Sequence, residues 1–227
     1  MSFLEFLGYG ACHQRAGLTF SSGHLQMPLC SRCTGLYLGL LFSLVVLLAL
    51  ERKMKAGLPG RKIITALIVL FCFMAIDSAL TFFKAVEVNN TVRFTTGFSV
   101  GWFLISVLLP LKNGVIFCKK ILYSAPYLDK KLNFLIWLST ALLTGLAFIL
   151  TYRNTFFIWS TLSIFGLLVF LSFIIYILLF ALNKRLSNSI CLASKYIIFF
   201  LISFFISACF ISLSSMLKHF IHPYFRF

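Results

Sequence analysis

Residues 30–50 read CSRCTGLYLGLLFSLVVLLAL, a cysteine pair leading into a run that no charged side chain interrupts after Arg32. Crossing a hydrocarbon core of about 30 Å takes about 20 helical residues. The apolar part, residues 34–50, therefore spans only if its helix begins a few residues earlier. Five more stretches have the same character, near residues 63–83, 95–111, 132–152, 156–182 and 196–217. In lipid every backbone polar group has to be satisfied within its own segment, which a helix does and an open sheet cannot. The fold class that follows is all-α: a polytopic transmembrane bundle of about six helices.

Composition agrees with that reading. Hydrophobic residues make up 61% of the chain and charged ones 11%, with a mean hydropathy of +1.02, too little polar surface to cover a water-soluble globule. A multi-pass protein in the cell membrane, with the lipid bilayer as its surroundings, is expected. In a soluble domain the net charge of +15 would suggest nucleic acid. Here the cations collect between apolar runs, so no nucleic-acid partner is expected. Glu5 and the short apolar stretch before Cys12 argue against a cleaved signal.

Those cations also orient the chain. Arg52, Lys53, Lys55, Arg61 and Lys62 follow the first run; Lys112, Lys119, Lys120, Lys130 and Lys131 follow the third; Lys184, Arg185 and Lys195 follow the fifth. This denser side is expected in the cytoplasm, which puts both termini outside. All four histidines, His13, His24, His219 and His222, then lie on the extracytoplasmic side together with Cys12, Cys30 and Cys33.

That grouping carries the chemistry. Two residues between Cys30 and Cys33 let both sulfurs face one point, which suits a disulfide or one edge of a tetrahedral metal site. Cys12, His13 and His24 lie upstream in a segment able to fold back. The expected metal set is Cys12, His24, Cys30 and Cys33, with His13 as substitute or supporting group, and zinc is the expected cofactor because it accepts mixed Cys and His ligands. The alternatives are a disulfide, exchanging thiols in a membrane oxidoreductase with Cys12 as resolving thiol, or reduced cysteines packed without chemistry. Cys72, Cys118, Cys191 and Cys209 read as ordinary small apolar residues, and His219 and His222 as interfacial anchors.

Asp77 is the acid well inside a span, close to its outer end, and either Arg32 or Arg93 is at a level to pair with it. These three define a polar pocket, and a transporter or assembly factor using it is a further reading. Gly35 and Gly39, like Gly97 and Gly101, have the spacing that lets helix backbones approach closely in lipid. The first and third spans are expected to pack under the site, with Thr95 or Thr96 capping the third.

The run Cys12-His13-Gln14-Arg15, then Pro28-Leu29-Cys30-Ser31-Arg32-Cys33-Thr34-Gly35-Leu36-Tyr37-Leu38-Gly39, resembles a family of small predicted membrane proteins of bacteria and archaea whose label is a domain of unknown function. A second patch is similar to it as well: Ala75-Ile76-Asp77-Ser78 and Asn89-Asn90-Thr91-Val92-Arg93-Phe94-Thr95-Thr96-Gly97, with Ser78 where the family usually has Gly. The resemblance covers about residues 12–105 and implies no reaction. It groups Cys12, His13, Arg32, Cys33, Asp77 and Arg93 as one candidate site, and it implies a prokaryotic inner or plasma membrane. Residues 1–105 are accordingly read as the signature membrane domain and 106–227 as additional membrane helices. Sequence leaves open whether the chain turns over a substrate, and whether it pairs with itself or with another membrane protein.

Overall fold

The computed structural model describes residues 3–83, 89–183, 190–191 and 193–221, so Lys84, Lys184, Arg185, His222 and Arg226 lie outside the described residues. A short helix α1 (Phe3–Ala11) comes first. Six helices long and apolar enough to cross a membrane follow. They are α2 (Ser31–Leu50), α3 (Arg61–Phe82), α4 (Asn90–Ile116), α5 (Lys131–Thr151), α6 (Phe156–Leu182) and α7 (Ala193–Ile221). The protein is thus an all-helical, multi-pass membrane bundle.

Three boundaries differ from the sequence reading, each for a local reason. α2 begins at Ser31, so Cys30 is its N-cap and Cys33 sits in its first turn. α4 begins at Asn90 because the Asn89 side chain accepts a hydrogen bond from the Thr91 N–H at 3.0 Å, which makes Asn89 the cap in place of Thr95 or Thr96. At its other end α4 runs through Pro110 to Ile116 and carries Lys112 inside the bundle rather than in a connector. The buried Lys112 ammonium donates to the Tyr196 hydroxyl at 3.0 Å and lies 4.9 Å from the centroids of both the Phe173 and Tyr196 rings, which solvate its charge.

The seam between α2 and α4 is the axis of the bundle. A methyl carbon placed on Gly35 or Gly39 would land on the main chain at Phe94 or Phe98, and one on Gly97 or Gly101 would land on that of Arg32 or Leu36. Four glycines thus let the two backbones touch, and dispersion and main-chain contact replace side-chain packing there. Deeper in the seam the Ser43 hydroxyl donates to the Trp102 carbonyl and accepts from Trp137 Nε1, both at 2.8 Å, joining α2, α4 and α5. By contrast α3 has no buried residue and lies at the periphery against α4.

Small sheets shape the two ends. Residues 12–30 fold into the bundle through an antiparallel hairpin, β1 (Ser21–Ser22) and β2 (Leu25–Gln26), turned at Gly23 with φ 61°. Buried Phe20, Met27 and Leu29 anchor it, with Phe20 seated among Phe94, Phe148 and Tyr152. At the opposite end β3 (Lys55–Gly57) pairs in parallel with β4 (Tyr123–Pro126). Nearby, Cys118 and Cys191 are joined by a disulfide, which corrects their reading as unpaired apolar residues. Their separation of 73 residues hides the pairing in sequence, and the bridge between Phe117 and Ile190 creates it.

Candidate metal centre

Cys30 and Cys33 are positioned by the start of α2, and Cys12 by the exit from α1. The Cys12 N–H still donates to the Gly8 carbonyl at 2.9 Å, completing the last turn of α1. The chain then turns at Gln14, whose φ of 48° lies in the left-handed region. Gln14 holds the turn by donating its amide to the Glu5 carbonyl at 2.7 Å and to the Pro28 carbonyl at 2.8 Å, which ties α1 to the segment entering α2. Gln14 was visible in the Cys-His-Gln-Arg run, but nothing in the sequence assigned it this part.

The result is that the sulfurs of Cys12, Cys30 and Cys33 all lie within 4.8 Å of one another. Cys12 and Cys30 are buried and Cys33 is partly buried. The Cys30 N–H donates to Cys12 Sγ at 3.3 Å, as expected of a thiolate held at a helix start. Hydrogen bonds from the Cys30 and Cys33 thiols drive the Cys12 thiol far below its ordinary range, against the cost of burial. Cys30, which donates to Cys12, is pushed up.

The histidines are placed differently. His13 follows Cys12 in the chain but is exposed and is not in the group of sulfurs; its Nδ1 accepts from the Arg15 N–H at 3.2 Å. Loss of hydration on its inner face lowers its pKa; Cys12 opposes this, and Arg15, Arg93 and Arg32 reinforce it. His24 stands exposed in the turn between β1 and β2, and is not in the group of sulfurs. His219 is exposed in the last turn of α7.

Two arginines and one acid complete the polar end. Arg32 forms an ion pair with Asp77, across from α2 to α3. Arg93 is 1% exposed, and its Nε and Nη1 have no hydrogen-bond partner. Arg32 Nε and Asp77 Oδ1 are likewise buried without partners. An unpaired buried guanidinium is costly unless negative charge lies beside it. Arg93 is therefore a buried cation whose Nε and Nη1 are open to an anionic group at this end of the bundle.

A bundle of apolar spanning helices with three convergent sulfurs and a buried arginine at one end defines the molecule as a multi-pass membrane protein with a compact sulfur-rich site. A profile of a predicted membrane protein family, DUF2085, matches residues 12–107. An uncharacterized protein of Methanothermobacter thermautotrophicus is 31% identical over 109 residues, covering 46% of this chain and 90% of that relative. Uncharacterized protein MJ1492 of Methanocaldococcus jannaschii is 28% identical over 108 residues, covering 48% of this chain and 67% of its own length. The chain belongs to the DUF2085 family of membrane proteins. The matched region holds the three cysteines, the Arg32–Asp77 pair, Arg93 and the glycine seam. No solved structure matches the chain.

Proposed function

We propose that Cys12, Cys30 and Cys33 hold one zinc ion that clamps α1 and its following turn to the start of the first spanning helix. The observation that carries this reading is the convergence of three sulfurs from two separate segments to within 4.8 Å of one another. Sulfurs sharing a tetrahedral zinc at about 2.3 Å are about 3.8 Å apart, so closure asks for a movement of about 1 Å. Three soft thiolates select zinc or copper(I) over magnesium or calcium. Three thiolates and a divalent ion leave one negative charge, which Arg93 balances while Arg32 is engaged by Asp77. The fourth coordination position would be taken by water, or by His13 if its exposed ring swings in from outside the group of sulfurs. The clamp's role is structural, and with the basic connectors in the cytoplasm it faces outward.

Cobalt(II) titration of detergent-purified protein tests this directly. The native chain gives thiolate-to-cobalt charge-transfer absorption; Cys12→Ser and Cys33→Ser each weaken it and lower the zinc content, and Cys72→Ser leaves both unchanged. Equal zinc content in all four proteins would refute the ligand set.

Thiol–disulfide exchange is the competing reading, because the same closeness of Cys12 and Cys30 suits attack of one sulfur on another. It requires a pair among the three that cycles with reductant in intact membranes. A stable metal complex that blocks alkylation of all three rejects it.

A further inference from the structure

The opposite end of the bundle holds a second site, unrelated to the sulfurs. A cavity of about 460 Å³ lies between the exit of α2, β4 and the start of α5, and its lining includes Arg52, Lys53, Lys55 and Lys130. Glu51 is the acid in that wall, and it is already committed: it pairs with Lys55 and accepts from the Leu128 N–H at 2.9 Å and from the Asn133 amide at 3.4 Å. Lys53 rests 4.6 Å above the Tyr123 ring. Among the described residues the ion pairs are Arg32–Asp77 and Lys55–Glu51, so Arg52, Lys53 and Lys130 face the cavity with no carboxylate of those residues paired to them.

A neighbouring cavity of about 720 Å³ opens on the far side of the α5 start. Consecutive residues alternate between the two, Lys130 lining the first and Asp129 and Lys131 the second. The second wall joins apolar Ile63, Leu128, Phe134 and Leu135 to Arg61, Lys62 and Lys131, with Asp129 as its acid, whereas in the first cavity the acid Glu51 is already paired with Lys55. A positive cup beside a groove that carries both apolar side chains and further cations, at the end of spanning helices, matches the chemistry of a phosphate esterified to hydrocarbon chains. We propose that this end binds an acidic phospholipid, with its phosphate among Arg52, Lys53 and Lys130 and its chains passing over the α5 start onto the Ile63–Phe134 wall. Cations that only orient a chain need no cavity. Here three of them share one.

The test is the thermal midpoint of the purified full chain in detergent with added phosphatidylglycerol, phosphatidylcholine or inorganic phosphate. Phosphatidylglycerol is expected to raise the midpoint by several degrees, and the other two to leave it in place. The triple variant Arg52→Gln, Lys53→Gln, Lys130→Gln should need roughly a hundredfold more phosphatidylglycerol for the same shift, taking about 1 kcal/mol per cation. Arg52→Gln alone should need roughly fivefold more by the same reckoning, which keeps the test open if the triple variant does not fold. Lys119→Gln with Lys120→Gln, at the same end but outside the cavity, should behave as the native chain. An equal shift from phosphatidylcholine, a full shift from inorganic phosphate, or an equal loss in the Lys119/Lys120 variant would each overturn the proposal.

Discussion

At the start of α2, Arg32 Nε, Asp77 Oδ1 and two nitrogens of Arg93 are buried without partners beside three close sulfurs. At its other end, Glu51 pairs with Lys55 and caps Leu128, while the Asn113 amide reaches the Tyr127 hydroxyl at 3.0 Å and the Lys55 carbonyl at 2.8 Å. Of the buried polar side-chain atoms around Glu51, only Asn113 Oδ1 is left over among the described residues. A nearly saturated network explains itself as architecture, because all but one of its buried polar atoms have found partners. The unsaturated end asks for something more, and the proposed zinc ion would bring the thiolates' charge into balance with Arg93.

Both ends hang from the glycine seam, so the largest effect should come from breaking it. Gly97→Leu drives a side chain into the Arg32 main chain and is expected to abolish folded protein, read as loss of the monodisperse peak in detergent chromatography. Next, Arg93→Gln removes the charge beside Cys30 and Cys33. Zinc affinity by competition with a chelator should fall by roughly 10- to 100-fold, the usual weight of groups supporting metal ligands. A folded Arg93→Gln protein with native affinity would erase the contrast between the two ends.

A smaller effect is expected from Glu51→Gln, which loses an ion pair and weakens the hydrogen bond to Leu128. About 2 kcal/mol of stability should go, measured by denaturant unfolding, with zinc content unchanged. The same carboxyl supplies the mildest test. Burial alone would raise its pKa, but Lys55, the Leu128 N–H and Asn133 outweigh that and hold it below its ordinary 4.5. A depressed folded-state pKa gives a contribution that is complete above the ordinary value and lost as pH falls below it toward the folded value. The native midpoint should therefore drop on acidification below about pH 4.5, and the slope should flatten in Glu51→Gln. An identical acid slope in both proteins would remove Glu51 from the account.

Much of this was legible in the chain because membranes simplify the code. Six apolar runs gave six spanning helices, and Gly35-x-x-x-Gly39 with Gly97-x-x-x-Gly101 marked where backbones could meet. Other features depend on contacts that no local pattern records. The nine residues of α1 are too few to stand out as a span, and they are held by the Gln14 amide and by Ser214 and Ser215 of α7, which donate to the Gly10 and Phe6 carbonyls. Lys112 looked like connector because a cation in a span is costly, and only the fold shows the Tyr196 hydroxyl and two aromatic rings around it. His24 has the chemistry of a ligand, but a two-residue hairpin holds it in solvent. Cys118 and Cys191, 73 residues apart, are paired by a loop contact and not by spacing.

The central claim is that the three clustered cysteines bind a metal and are not joined to one another by a disulfide. Elemental analysis of the purified chain, combined with thiol counting after denaturation without reductant but with a chelator, measures both at once. The account predicts about one zinc per chain with the thiols of Cys12, Cys30 and Cys33 all titratable. No metal, with two of the thiols of Cys12, Cys30 and Cys33 missing, would contradict it and make the cluster a disulfide.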